Sequence, residues 1–427
     1  MNAVTSVNSV DAIDQAAREI LSLNDKGTYT VPTHGLYPYQ WNWDSAFAAW
    51  GFAQFDIDRA WVELETLFSG QWDNGMVPHI LFHQQDPGYF PGPDVWQGAG
   101  PIPSSGISQP PIAATMAKLV FDKDPEAGKR RIEPLYEKML AWHKWFMDWR
   151  LDNDAVCITH PWESGRDNAP DWDIAMAAIE PGDVGEYTRR DTAHVDSSMR
   201  PTKHDYDRYI WLVNRGVSLG WDDAAMLENT PFRVADPTMT FTLLRAQRDL
   251  AQIGRLLGHD VSAIDADIKQ LEAGAATLWN AELGSYDSRD VNSKQWAGSI
   301  SNASFLCWYA GLEAPEMRKV LAEVMAKVKY GVPSLDIHNE KFDGMRYWRG
   351  PVWAIMNTMI GIGMKEMDMQ EGEDLRQSTA DLISEHGFSE YFDPRDGTPA
   401  GGQSFTWTAA IWLSWASPSV GATHGRD

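Results

Sequence analysis

The stretch Pro351-Val352-Trp353-Ala354-Ile355-Met356-Asn357-Thr358-Met359-Ile360-Gly361-Ile362-Gly363-Met364-Lys365 is apolar almost all the way round a helix. The stretch that follows it, Gln370-Glu371-Gly372-Glu373-Asp374-Leu375-Arg376-Gln377-Ser378-Thr379-Ala380-Asp381-Leu382-Ile383-Ser384-Glu385-His386, is apolar on one stripe only. A helix without a polar face belongs in an interior, and an amphipathic one belongs against its outside. The same alternation recurs on either side, where 314–328 is amphipathic and 404–416 is apolar nearly all round. An inner helix paired with an outer one is therefore the unit of the fold.

Apolar residues at helical spacing mark further segments near 10–23, 44–54, 57–70, 108–121, 132–150, 205–219, 237–257, 263–279 and 302–310, with hardly any strand signal. Asp56 and Ser262 stand where N-caps are expected. Alternating exposed and buried helices over 427 residues, with no sequence repeat of fixed period, favour a closed ring over an open solenoid. The predicted fold is all-α, an (α/α)6 barrel of six inner and six outer helices, with residues 1–427 forming one catalytic domain. Segments 71–107 and 155–204 break the helical rhythm with Gly, Pro and Asp clusters. Loops of that length in a compact domain are usually functional, so both are expected to be insertions forming the rim of a cleft.

Composition narrows the function. Sixty acidic against 36 basic residues give a formal charge of -24, which repels phosphate backbones and anionic membrane surfaces and argues against nucleic-acid and membrane partners. No apolar run is long enough for a membrane span. The first residues carry neither a basic n-region nor an apolar h-region, and Cys157 and Cys307 are the only cysteines, so a cytoplasmic chain without a disulfide framework is expected. Homo-oligomerisation stays open. The 21 tryptophans exceed the 15 phenylalanines. Because the C–H faces of sugar rings stack on indoles, that surplus beside carboxylates favours a carbohydrate site.

Two acidic motifs carry the chemistry. Trp162-Glu163-Ser164-Gly165-Arg166-Asp167-Asn168-Ala169-Pro170-Asp171-Trp172-Asp173 packs four carboxylates and two indoles around a tight turn. Phe388-Ser389-Glu390-Tyr391-Phe392-Asp393-Pro394 precedes a Gly-rich turn and Phe405-Thr406-Trp407-Thr408. Glycoside hydrolysis needs one carboxyl to protonate the leaving oxygen and a second to activate water or attack the sugar. Asp167 is the candidate acid, with Trp162 and Trp172 supplying apolar contact. Glu163 is its local rival, and a plain turn-capping role for Asp167 is the bland alternative. Glu390 is the candidate base, with Glu385 a solvated rival and a salt bridge to Arg349 as the structural alternative.

The run Tyr37-Pro38-Tyr39-Gln40-Trp41-Asn42-Trp43-Asp44 reads as a sugar-binding wall in which Asp44 accepts from vicinal hydroxyls, although Trp43 suits a core equally. In Tyr347-Trp348-Arg349-Gly350-Pro351-Val352-Trp353, Pro351 is expected to open a helix and to set Tyr347 and Trp348 at the cleft rim. His79 and His83 are four apart, but Pro78 precedes them and no HExxH pattern is present, so neither a metal nor a cofactor is expected. Two other classes compete with a glycosidase: a sugar epimerase on the same toroid and a non-catalytic carbohydrate-binding toroid.

Taken in order, LYPYQWNWDSAF at 36–47, QWDNGMVPHI at 71–80, GYFPGP at 88–93, GISQPP at 106–111, WESGRDNAPDWD at 162–173, DYDRYIW at 205–211, YWRGPVW at 347–353, FSEYFDP at 388–394 and TWTAA at 406–410 resemble glycoside hydrolase family 63. The resemblance is to the bacterial branch that includes mannosylglycerate and glucosylglycerate hydrolases. It implies an (α/α)6 barrel and inverting α-glycosidase chemistry, with Asp167 as general acid and Glu390 as general base. It also implies that Tyr37, Trp41, Trp43 and Asp44 surround the cleaved sugar together with Trp162, Gly165, Trp348 and Trp353. Tyr89, Gln109, Arg200 and Tyr206 would line the leaving-group side, where Arg200 pairs with a glycerate carboxylate. The chain departs from the pattern at Ala169, where a serine is common, and at Ser404-Phe405, where glycerate-specific relatives carry polar amides. The implied substrate is a small intracellular α-glucoside or α-mannoside, glucosylglycerate or mannosylglycerate first, with neutral α-glucosides such as glucosylglycerol or a disaccharide as the alternative.

Overall fold

Six helices face one another around the centre of the computed structural model, which describes residues 9–191 and 196–420. In chain order they are Asn42–Phe52, Ala113–Phe121, Pro237–Leu257, the 3-10 turn Asn302–Phe305 continued by Leu306–Tyr309, Ala354–Glu366, and Thr406–Ile411 running into the π-helical turn Trp412–Ala416. Each packs on the next, and Thr406–Ile411 packs back on Asn42–Phe52, which closes the ring. Every residue of Asn42–Phe52 is buried, as a helix with no polar face requires.

Six amphipathic helices form the outer layer: Val10–Asn24, Ile57–Ser69, Pro125–Trp149, Ser262–Ala276, Pro315–Met325 and Glu371–His386. Glu371–His386 buries Leu375, Thr379, Leu382 and Ile383 on one stripe and packs on the inner helix Ala354–Glu366. The inner and outer positions expected from the two quoted stretches are those observed.

Helix starts differ in informative ways. Asp56 caps as expected, its carboxylate accepting from Arg59 N–H at 3.0 Å. Ser262 does not cap; it is the first helical residue, and its N–H donates to Asp260 at 2.9 Å. The helix expected from 132 starts at Pro125, whose missing N–H costs nothing in a first turn capped by Asp124. Pro351 does not open a helix. Val352 exchanges backbone hydrogen bonds with Phe392 at 2.8 and 3.1 Å, holding the chain extended until Ala354.

Short strand pairings, too brief to show a period of two, position the site. A four-stranded antiparallel sheet runs in the order Leu151–Asp152, Ala155–Ile158, Val234–Ala235, Arg289–Asp290, with Cys157 opposite Ala235 and Val234 opposite Asp290. It delivers the chain into the 162–173 motif. Gln40–Trp41 pairs with Ile80–Leu81, and Tyr391–Phe392 pairs with Pro399–Ala400. Both cysteines are buried and unpaired. Among the described residues no helix is long and apolar enough to cross a membrane. Residues 1–8 and 421–427 of the expected domain and 192–195 of the expected rim segment lie outside the described residues.

Candidate active site

The loop that carries Asp167 is held from beneath. Gly165 sits at φ 69°, and a Cβ there would lie 2.6 Å from the Trp43 ring, so the turn tolerates only glycine. Arg166 points inward, fully buried, with its guanidinium 2.9 Å from Asp171, 3.2 Å from Asp236 and 2.8 Å from Thr238 Oγ1. Trp172 lies under that guanidinium, and its Nε1 donates to the Arg166 carbonyl at 2.8 Å. The indole therefore braces the loop. Tyr209 donates to the Asp167 carbonyl at 3.0 Å, and Asn168 Nδ2 donates to the Tyr347 carbonyl at 3.2 Å. The backbone is fixed on both flanks while Asp167 lines a cavity.

The Asp167 backbone N–H is turned toward its own carboxyl. Burial pushes it well above the usual carboxylate range, and the negative charge of Glu390 pushes it further. The Asp167 carboxyl therefore holds its proton more firmly than a free aspartate does.

Glu390 is built the opposite way. It is 1 % exposed, and donors reach both of its oxygens: Tyr37 and Tyr347 hydroxyls at 3.2 and 3.1 Å on Oε1, and Arg200 Nη2 and Gly402 N–H at 3.2 and 2.8 Å on Oε2. The strand pairing behind it forces Gly401 to φ 72°, where a Cβ would lie 2.3 Å from Glu390 Oε2. Trp407 Nε1 donates to the Glu390 carbonyl at 3.2 Å. An ionised carboxylate accepts only, and four donors match that form.

The rivals are accounted for. Glu163 is 1 % exposed and accepts from Thr159 N–H at 2.6 Å and Arg150 at 3.3 Å, away from the cavity wall. Glu385 is exposed, beside Tyr330 at 2.6 Å and Lys329 at 3.3 Å. Arg349 pairs with Asp173 at 2.5 Å; the arginine on Glu390 is Arg200.

Tyr37, Trp41, Trp43, Asp44, Tyr89, Gln109, Trp162, Gly165, Arg200, Tyr206 and Tyr347 all line the cavity with Asp167 and Glu390. Gln109 Oε1 accepts the Trp43 backbone N–H at 3.2 Å, fixing the entry to the first inner helix. Asp44, in that helix's first turn, is pushed well up by burial and then by Glu390. Trp348 and Trp353 do not reach the cavity. Both are completely buried, their rings stacked 3.8 Å apart behind Trp43 and Tyr347. Their motif promised aromatic contact but could not distinguish a wall from its backing.

Sequence reasoning missed His79, Arg189, Arg190, Asp191 and Trp407 in the wall. Arg189 pairs with Asp191 at 2.6 Å and Arg190 with Asp86 at 2.5 Å. The Arg-Arg-Asp run inside an overlong segment was the available signal. His83 turns away from His79, its Nε2 2.7 Å from Gln40 Oε1.

Residues 37–408 match the family described as the mannosylglycerate hydrolase MGH1-like glycoside hydrolase domain. The chain belongs to this family. It is 40% identical to a mannosylglycerate hydrolase of Thermus thermophilus over 93% of this chain and 99% of that one. It is 33% identical to a glucosylglycerate hydrolase of Mycolicibacterium hassiacum over 93% of this chain and 96% of the relative. The crystal structure of the family 63 mannosylglycerate hydrolase from Thermus thermophilus, in complex with Tris and D-glycerate, superposes with a TM-score of 0.91 at 39% identity, covering 94% of this chain and 99% of that chain. The protein is a glycoside hydrolase with an (α/α)6 barrel, and the epimerase and non-catalytic readings fall away.

Proposed function

We propose that this glycoside hydrolase cleaves a small α-linked glycoside of glycerate, mannosylglycerate or glucosylglycerate, with inversion at the anomeric carbon, and that it acts in the cytoplasm. The observation that carries the reading is the contrast between two carboxyls facing one cavity: Asp167, pushed up by burial, and Glu390, met by four donors. Asp167 protonates the departing glycosidic oxygen, and Glu390 takes a proton from the attacking water. Trp43, Trp162 and Asp44 receive the sugar. Tyr89, Gln109, Tyr206 and Arg200 receive the leaving group. Arg200 supports that assignment in part, since its guanidinium lines the cavity while Nη2 is on Glu390. The Thermus relative bound to D-glycerate supports it independently.

Phe405 favours a second reading, a neutral α-glucoside such as glucosylglycerol, because it sets a buried apolar ring in the cavity wall against Tyr37. Turnover of purified protein on mannosylglycerate, glucosylglycerate, glucosylglycerol, kojibiose and trehalose, with the first-formed anomer followed by NMR, decides between them. Release of the β-anomer from a glycerate glycoside is expected. Preference for a neutral substrate refutes the glycerate assignment, and release of the α-anomer refutes inversion.

A further inference from the structure

His79 is a wall residue whose constraints are visible and whose purpose is not. It lines the cavity yet is only 4 % exposed. Its backbone N–H donates to the Ile107 carbonyl at 2.8 Å, and its carbonyl accepts from Asn42 N–H at 3.0 Å. The ring is fixed as firmly. Nδ1 lies 3.0 Å from Ser105 Oγ, which also accepts from Ile80 N–H at 3.1 Å, and the imidazole stacks on Trp162 at 6.2 Å and 21°.

Nε2 is the remaining polar atom of the ring. Among the described residues it has no protein partner and is not sealed in protein, so it opens on the cavity. Beside it Gln109 spends its Oε1 on the Trp43 N–H, which leaves that amide's NH₂ for a ligand.

We propose that His79 Nε2 hydrogen-bonds a hydroxyl of the bound substrate on the wall it shares with Trp162 and Gln109, fixing the sugar without transferring a proton. The inference rests on the glycosidase reading of the cavity. Burial, with His160 adding to it, holds the imidazole well below its ordinary value, so the ring is neutral at working pH and offers direction without charge. With the proton on Nδ1 the ring presents an acceptor, and with the proton on Nε2 a donor. A hydroxyl answers either.

Two conservative variants separate this role from a structural one, because an asparagine amide falls near the place of Nδ1 and a glutamine amide near that of Nε2. His79→Asn, His79→Gln and His79→Phe are compared by calorimetric titration with free mannose and free glucose, and by kcat and KM on the glycerate glycosides. Loss of one neutral hydrogen bond lowers sugar affinity about tenfold in His79→Asn and His79→Phe, and His79→Gln recovers most of it. The pH profile of kcat stays unchanged in His79→Gln. The proposal is overturned if His79→Asn matches the wild type while His79→Gln does not, if all three match it, if none recovers, or if a limb of the pH profile disappears. The titration needs no turnover, so a protein that binds sugar through His79 but cleaves neither glycoside refutes the proposed function alone.

Discussion

The loop that carries Asp167 and the hairpin that carries Glu390 surround the same residue class in opposite ways. Around Asp167 the protein spends its polar contacts on the backbone and on Arg166 beneath, and the carboxyl itself faces the cavity. Around Glu390 it spends them on the carboxylate, with two tyrosines, an arginine and a backbone N–H. The difference teaches that role is set by what surrounds a carboxyl rather than by the carboxyl itself. A proton stays where charge has no partner, and charge stays where donors converge.

Substitutions that erase the contrast should have the largest effects. Glu390→Gln is expected to lower kcat by about 10²–10⁴-fold on every substrate, because water loses its base. Asp167→Asn should lose as much on a glycerate glycoside but far less on an aryl glycoside, whose leaving group departs without a proton. Steady-state kinetics on both substrates checks this, and equal losses for Asp167→Asn on both would break the assignment. Asp44→Asn sharpens it: Asp44 is also pushed up, but as a sugar ligand it should show no rescue by the aryl substrate.

The next effect is on stability. Arg166→Ala leaves Asp171 and Asp236 buried without their countercharge, an expected cost of about 3–5 kcal/mol by denaturant unfolding. Trp348→Ala, which empties a stacked pair behind the wall, should cost about 3–5 kcal/mol as well, with sugar affinity falling less than for Trp43→Ala. A Trp348 variant that keeps its stability but no longer binds sugar would return that residue to the cleft.

A smaller effect follows from linkage. Asp167 has a folded-state value raised above its ordinary 3.8, so the native state holds the proton more tightly than the unfolded chain. Its contribution to stability is present below that ordinary value and is lost as pH rises toward the folded one. Asp167→Asn should therefore melt progressively higher than wild type as pH increases from about 4 through neutrality, as scanning calorimetry would record.

Much of this was legible in the chain because it is local. The all-apolar 351–365 and striped 370–386 segments state inner and outer positions without reference to anything else. The acidic motifs likewise mark Asp167 and Glu390, which the fold brings to one cavity. What depended on distant partners was not legible. Arg200 meets Glu390 across 190 residues, and no spacing rule connects them. Trp348 and Trp43 look alike as indoles in polar motifs, and only packing puts one behind the other. The extended stretch before Ala354 came from a pairing with Phe392, so proline at 351 misled a rule based on local preference.

The central claim is that Asp167 carries the catalytic proton. Its most direct test is the pH dependence of kcat/KM for wild type and Asp167→Asn on an activated aryl α-mannoside and on mannosylglycerate. Wild type should lose activity on mannosylglycerate at a basic limb lying well above the ordinary aspartate range, and Asp167→Asn assayed on the aryl substrate should lack that limb. Persistence of the same basic limb in Asp167→Asn would contradict the account, because the proton would then belong to another group.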